Sequence, residues 1–243
     1  MLNYRPCKVI ENIEIAPGIL KISIDINLEA EPGQFFMLRA DSFRQDPILA
    51  RPLGVCDQRE DRLIFLVQVV GKGTKLIANL KKGDGVSVLG PLGNGFVKTD
   101  DEKIAIVAGG IGIAPLLELA KNLDTKSDFY AGFADEPYFV EEFRPYVEKI
   151  IISSEKSEGK FILDKLNPDD YDTIYACGPN PMLEALFKKN TRAKIQVSME
   201  AHMACGIGAC LGCTVEDSNG DFVRVCTDGP VFDAERIFSW AWK

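Results

Sequence analysis

Four of the seven cysteines fall within 22 residues, as Cys205-x4-Cys210-x2-Cys213-x12-Cys226. C-x4-C-x2-C followed by a later Cys is the spacing that wraps a 2Fe-2S cluster. Such a site needs four thiolates converging on two irons, with backbone amides turned towards the sulfurs. Gly206, Gly208 and Gly212 lie between the first three candidate ligands, where a tight loop requires unusual dihedrals and close approach. Ala204, Ala209 and Leu211 are placed to shield such a cluster from water. Zinc is the competing occupant, since it also accepts four Cys. Zinc ribbons usually pair two C-x2-C knuckles, however, whereas here the first gap is four residues and the fourth Cys stands alone. His202 is the only histidine, so a Rieske centre, which needs two, is excluded and a hydrolytic His-based mechanism is disfavoured. An odd number of cysteines does not read as a disulfide framework.

A second set of residues suits a nucleotide. Gly109, Gly110 and Gly112 follow the apolar run Lys103–Ala108 and precede Pro115, a residue suited to a first helical turn. Glycines there let a phosphate approach the backbone at a helix N-terminus. By itself the turn is weak evidence, because it is not a full G-x-G-x-x-G. A later strand-to-turn segment, Thr173–Pro179, brings Cys177, Gly178 and Pro179 to the carboxyl end of a parallel strand, where open α/β sheets bind ligands. Cys177 is either a buried core thiol or a small side chain beside a nicotinamide. Asp135 and Glu136, after the strand Asp128–Phe133 and with no nearby Arg, favour NAD over NADP; the alternative is a solvated acidic loop.

The third set lies in the first hundred residues: Arg51-Pro52-Leu53-Gly54, Gly71-Lys72-Gly73-Thr74 and Gly90-Pro91-Leu92-Gly93-Asn94-Gly95-Phe96. Arg51 offers a fork of donors suited to a pyrophosphate, and Gly73 with Thr74 offers amides and a hydroxyl at a helix start. Any one of these is more often a plain turn; together they suggest a dinucleotide laid across a barrel.

The elements that must position these groups change character along the chain. Up to about Phe96 short β-rich runs (18–26, 34–39, 62–70 and 85–89) are punctuated by Pro-Gly and Gly-rich turns, which predicts a small antiparallel barrel with one helix near Thr74–Leu80. From Lys98 strands alternate with helical stretches at Ala114–Asn122 and Pro181–Lys189, predicting a doubly wound parallel α/β domain. A Cys- and Gly-rich segment follows Met199. The expected division is therefore 1–97, 98–198 and 199–243. Thirty-six acids against 28 bases give a net charge of −8, which argues against a nucleic-acid or anionic-membrane partner. Residues 1–14 hold no apolar stretch of signal-peptide length, and the longest uncharged apolar run, Ile104–Leu117, is too short to span a bilayer, so a soluble cytoplasmic protein is expected.

The three motif sets in this order, closing with Asp228-Gly229-Pro230-Val231-Phe232, resemble the ferredoxin–NADP reductase superfamily. Within it the chain is similar, over essentially its whole length, to the electron-transfer subunits of class 1B dihydroorotate dehydrogenases. The segments Met203–Cys213 and Cys226–Phe232 are the most specific parts of the likeness.

The resemblance implies FAD on the barrel, held by Arg51, Pro52, Leu53, Gly54, Gln68, Val69, Gly73 and Thr74, then NAD on the middle domain and a 2Fe-2S cluster at the end. It also implies an FMN-containing catalytic partner that oxidises dihydroorotate, two copies of each subunit, and electron flow from FMN through cluster and FAD to NAD. Gly54 departs from the Ser or Thr usual in the family, and Ser153–Lys160 is shorter and less Gly-rich than its nucleotide loop. Three function classes remain open at this level: that subunit, a related iron–sulfur flavoprotein reductase serving another partner, and a zinc-stabilised nucleotide-binding module. The acidic end of the chain, with Phe238, Trp240 and Trp242 in its last six residues, is either a docking surface or a tail folded on its own domain.

Overall fold

The computed structural model describes residues 3–43 and 46–238. Seven strands form the first sheet: β1 (Arg5–Ala16), β2 (Ile19–Asp25), β3 (Phe35–Ala40), β4 (Arg51–Gly54), β5 (Asp57–Arg59), β6 (Arg62–Gln68) and β7 (Gly85–Leu92). Their order is β4-β3-β7-β1-β2-β6-β5, every pairing antiparallel. The two edge strands, β4 and β5, are joined only by Val55 and Cys56, whose amides donate to Gln34 and Ile64 carbonyls. The sheet therefore curls round on itself, which removes the exposed edges a flat sheet would present. Phe36, Phe65, Leu38 and Ile22 fill its interior. Helix α1 (Lys72–Ala78) closes one end, two residues earlier than its sequence signal. Asn12 of β1 ties it down by donating to the carbonyls of Ile77, Ala78 and Leu80.

The second sheet has the order β10-β9-β8-β11-β12-β15, built from β8 (Ile104–Gly109), β9 (Ser127–Phe133), β10 (Val147–Ser154), β11 (Thr173–Cys177), β12 (Lys194–Ser198) and β15 (Val231–Asp233). The first five are parallel and β15 pairs antiparallel with β12. Both faces are covered, which explains the unbroken apolar run of β8. Ala105 and Val107 enter one core, while Ile104, Ile106 and Ala108 enter the other. Helix α2 (Ala114–Asn122) matches its sequence signal, and α4 (Asn180–Phe187) begins one residue earlier than expected. A four-residue helix, α3 (Glu155–Glu158), follows β10, and α5 (Ala234–Ile237) follows β15.

Between β12 and β15 the chain makes the cysteine loop and a two-stranded hairpin, β13 (Thr214–Glu216) with β14 (Phe222–Arg224). Cys213, Val223, Val225 and Cys226 share one apolar cluster with Phe35, Met37 and Leu92 of the barrel and Val197 of the second sheet. The cysteine segment is thus packed against both sheets. Among the described residues no helix is long and apolar enough to cross a membrane.

Candidate functional site

A cavity of about 380 Å³ opens between the barrel and the carboxyl ends of the parallel strands. Arg51, Pro52, Leu53, Gly54, Gln68 and Thr74 line it from the barrel, and Gly112, Pro115 and Cys177 from the second sheet. The structure therefore brings the two sequence-derived nucleotide sets onto facing walls. Arg51 is steered by its own backbone: Nη1 donates to the carbonyls of Leu49 and Ala50 at 2.8 and 3.3 Å. Its guanidinium then lies against Gly73, where a Cβ would stand only 2.4 Å from Nε. Gly73 is required for that approach, which places a fixed cation beside the amides of the first turn of α1. The Thr74 hydroxyl accepts from the amides of Val70 and Gly71 and donates to the Gly71 carbonyl, so it shapes the turn that presents Gly73. Gln68 lines the cavity, whereas Val69, just past the end of β6, packs against the barrel core and is absent from the cavity lining.

Gly54 faces the other wall directly. A Cβ built there would lie 3.3 Å from Pro115 Cβ, so the missing side chain is matched by the close approach of helix α2. The turn after β8 packs just as tightly on the turn after β11. A Cβ on Gly112 would meet the Cys177 carbonyl oxygen at 2.4 Å, and one on Gly109 or Gly178 would meet Met182 at 2.6 Å. Gly109, Gly178 and Pro179 thus serve turn-against-turn packing. Gly110, with φ of +53° and open space where a Cβ would point, leaves backbone accessible. Cys177 is buried; desolvation, aided by the negative charge of Glu200, pushes its thiol up to about 12. It stays protonated and offers a small polarisable surface rather than a nucleophile.

Sequence reasoning missed Ser198, Met199 and Glu200, which line the cavity next to Cys177. Desolvation raises the Glu200 carboxyl above its ordinary value. Their signal was the carboxyl end of β12, a short strand in which buried Ile195 and Val197 alternate with polar residues.

At the far end of the parallel sheet, two residues past β9, Asp135 stands where an acid can meet a ribose. It is not isolated from cations: Lys156 of α3 donates to it at 2.9 Å. The short Ser153–Lys160 segment is closed by Ser153 Oγ donating to the Lys160 carbonyl and by left-handed Gly159 at the end of α3.

The four cysteines stand as two pairs, the Cys210 amide donating to Cys205 Sγ and the Cys226 amide to Cys213 Sγ. Backbone amides are aimed at the sulfurs: Ile207 and Cys210 at Cys205, Gly208 at Cys226, Gly212 at Cys210 and Cys226 at Cys213, at 3.2–3.4 Å. Such amides stabilise anionic sulfur, and a two-by-two donor set fits two irons. Among the described residues no three Cys, His, Asp or Glu groups form a site for a single metal ion. Gly206 and Gly208 take φ of +73° and +78°, as a tight loop demands, while Gly212 does not and Leu211, at +58°, does. Leu211 is 62 % exposed, so it presents an apolar surface to solvent instead of covering the sulfurs, and Ile207 beside it is exposed too. His202 is exposed.

The Gly90–Phe96 loop, expected from sequence to join the other two barrel pieces at a dinucleotide, holds the cysteine segment instead. Asn94 donates through its backbone to Gly229 O at 2.6 Å and through Nδ2 to Thr227 O and Asp228 O. Gly93 lets Pro230 approach, and Gly206 lets its loop seat on Met37. Phe238 packs on Phe187 with ring centroids 5.9 Å apart; Trp240 and Trp242 lie outside the described residues.

Comparisons with known proteins fall on the same parts. Residues 200–238 match the family described as the iron-sulfur cluster binding domain of dihydroorotate dehydrogenase B. The chain is 43% identical over 236 residues to the "Dihydroorotate dehydrogenase B (NAD(+)), electron transfer subunit" of Clostridium acetobutylicum, covering 94% of this chain and 95% of the relative. It is 38% identical to the protein of the same name from Clostridium perfringens, over 97% and 98% of the two chains. Among solved structures, a chain of the NADH-dependent reduced ferredoxin-NADP oxidoreductase superposes with a TM-score of 0.85 at 29% identity, over 96% of this chain and 89% of the other. Phthalate dioxygenase reductase shares the fold at a TM-score of 0.65 and 17% identity, over 96% and 78%.

Proposed function

Since the chain belongs to the family of NAD(+)-dependent dihydroorotate dehydrogenase B electron transfer subunits, we propose that residues 1–97 hold FAD, residues 98–198 hold NAD and residues 199–243 hold the cluster. When bound, these groups would supply the hydride and single-electron exchange that links dihydroorotate oxidation to NAD reduction. This chain's own residues bind and orient. Arg51 and the Gly73 turn of α1 receive the FAD pyrophosphate, and Pro52, Leu53, Gly54 and Gln68 form the flavin wall. Gly110, Gly112 and Pro115 form the nucleotide wall, with Cys177 and Glu200 at the nicotinamide end. Cys205, Cys210, Cys213 and Cys226 are the cluster ligands. The observation that carries this reading is the cavity walled by Arg51–Gly54 on one side and Gly112, Pro115 and Cys177 on the other. The cysteine loop is seated on β3, next to β4 of that wall.

The catalytic partner, which we take to be an FMN-containing subunit present in two copies with two of this chain, docks where Ile207 and Leu211 expose apolar surface beside exposed Cys210. Such a complex works in the cytoplasm. Co-expression with a dihydroorotate-oxidising subunit tests the assignment. The expected result is a co-purifying complex that reduces NAD(+) with dihydroorotate. A chain that forms no complex, yet passes electrons from NADH to another iron–sulfur acceptor, would instead support the reductase alternative.

Nucleotide preference gives a further expected outcome. In Asp135→Asn the Lys156 ammonium loses its carboxylate partner and becomes available to a 2′-phosphate. The NADPH-to-NADH ratio of kcat/KM should rise by roughly tenfold, a moderate effect because both groups are exposed and screened. An unchanged ratio in steady-state kinetics would remove Asp135 from the nucleotide site.

A further inference from the structure

Glu118 of α2 is 4 % exposed, yet every acceptor position of its carboxylate is filled. Oε1 accepts from Gln58 Nε2 at 3.2 Å and Asn122 Nδ2 at 2.9 Å. Oε2 accepts from the Gln58 backbone amide at 3.2 Å and Lys121 Nζ at 3.1 Å. The network crosses between the two sheets, because Gln58 and Asp57 belong to β5 of the barrel whereas Glu118 and Lys121 belong to α2. Lys121 also donates to Asp57 at 2.5 Å, and Gln58 is itself fixed by mutual hydrogen bonds with Ala30. Burial works against the Lys121 charge, but its hydrogen bonds to Asp57 and Glu118 raise its pKa above the ordinary value. Between the two halves Cys56 is fully buried with Ile113 and Leu117 of the α2 region.

This latch sits close to both walls of the cavity. Glu118 lies one helical turn beyond Ala114 and Pro115, and side chains three and four apart share a helix face. Gln58 follows Gly54 by four residues along β4 and β5. The contact of the walls at Gly54 and Pro115 is therefore spanned by two short segments whose far ends meet at one buried carboxylate. We propose that Glu118 is a positioning residue: by locking α2 to β5 it sets the Gly54–Pro115 separation, and so the width of the gap in which flavin and nicotinamide meet. The inference rests on the assignment of FAD and NAD to these walls.

The test uses the FAD- and iron-loaded protein. Glu118→Gln keeps the side chain's size but turns an amide donor towards either Gln58 Nε2 and Asn122 or the Gln58 backbone amide and Lys121, opposing donor to donor. The expected result is a roughly tenfold weaker NADH affinity and loss of most of the long-wavelength absorbance that a nicotinamide stacked on flavin gives. FAD content and the EPR spectrum of the cluster should stay as in wild type. Gln58→Ala trims only the barrel half, at a partly exposed position, and should show the same pattern if the first variant folds poorly. Wild-type absorbance and NADH affinity in either cofactor-replete variant would overturn the proposal. A wild-type protein whose flavin does not respond to NADH would overturn the cofactor assignment as well, and that is seen before any variant is made.

Discussion

Cys226→Ser should separate the two halves of the electron path. The side chain is 1 % exposed, accepts from the Gly208 amide at 3.2 Å and is paired with Cys213. Serine fills almost the same space, so the fold should survive. A hydroxyl, however, does not ionise at neutral pH and is a hard ligand, whereas iron–sulfur sites are held by thiolate. Iron and sulfide content should fall to a small fraction of wild type, and transfer to the catalytic partner should drop by about 100-fold or more. NADH should still bleach the flavin, because Arg51–Gly54, Gly112, Pro115 and Cys177 of the cavity walls all lie outside the Cys205–Cys226 segment. Iron and sulfide assays together with a flavin bleaching curve decide the matter. Full iron content with unchanged partner-coupled turnover would remove Cys226 from the ligand set.

Gly112→Ala should do the converse. A Cβ at this position would lie 2.4 Å from the Cys177 carbonyl oxygen, 2.5 Å from its carbon and 2.7 Å from the Gly178 amide nitrogen. All three atoms are backbone, held by β11 between β8 and β12, so no flexible side chain can move aside. The turn must shift away from Cys177, at a cost of about 1–3 kcal/mol. A displacement of this size in a binding wall can lower turnover by about 100-fold. FAD and iron contents should remain those of wild type. Gly110→Ala is the comparison: nothing lies within 4 Å of its Cβ, but φ is +53°, so it carries backbone strain without collision. NADH titrations followed at the flavin should rank wild type, Gly110→Ala and Gly112→Ala in falling affinity. Equal affinities would remove the turn after β8 from the nicotinamide wall.

What the sequence revealed follows from how local each signal is. The cysteine spacing and the helix over Ala114–Asn122 could be read because ligand spacing and a Pro in a first helical turn are properties of a few consecutive residues. The long strand β1 was invisible. It alternates poorly and only Cys7 and Val9 are buried, since it is fixed by pairing to β2 and β7. The Gly90–Phe96 loop was misplaced for a related reason. Its glycines announce close approach, but only the fold shows that Pro230, more than a hundred residues on, is what approaches. Likewise Asp135 reads as an acid with no Arg nearby, and only the fold of β10 and α3 brings Lys156 to it. Glu118, mid-helix and charged, carries no local signal of burial; the barrel that buries it is a separate element of the sequence.

An anaerobic visible spectrum of the purified chain, with iron and sulfide assays, before and after NADH, tests the relay most directly. Flavin bands near 450 nm over broad iron–sulfur absorption, both bleached by NADH, with about two irons and two sulfides per chain, are the expected result. A colourless protein holding zinc on its four thiolates, unchanged by NADH, would contradict it.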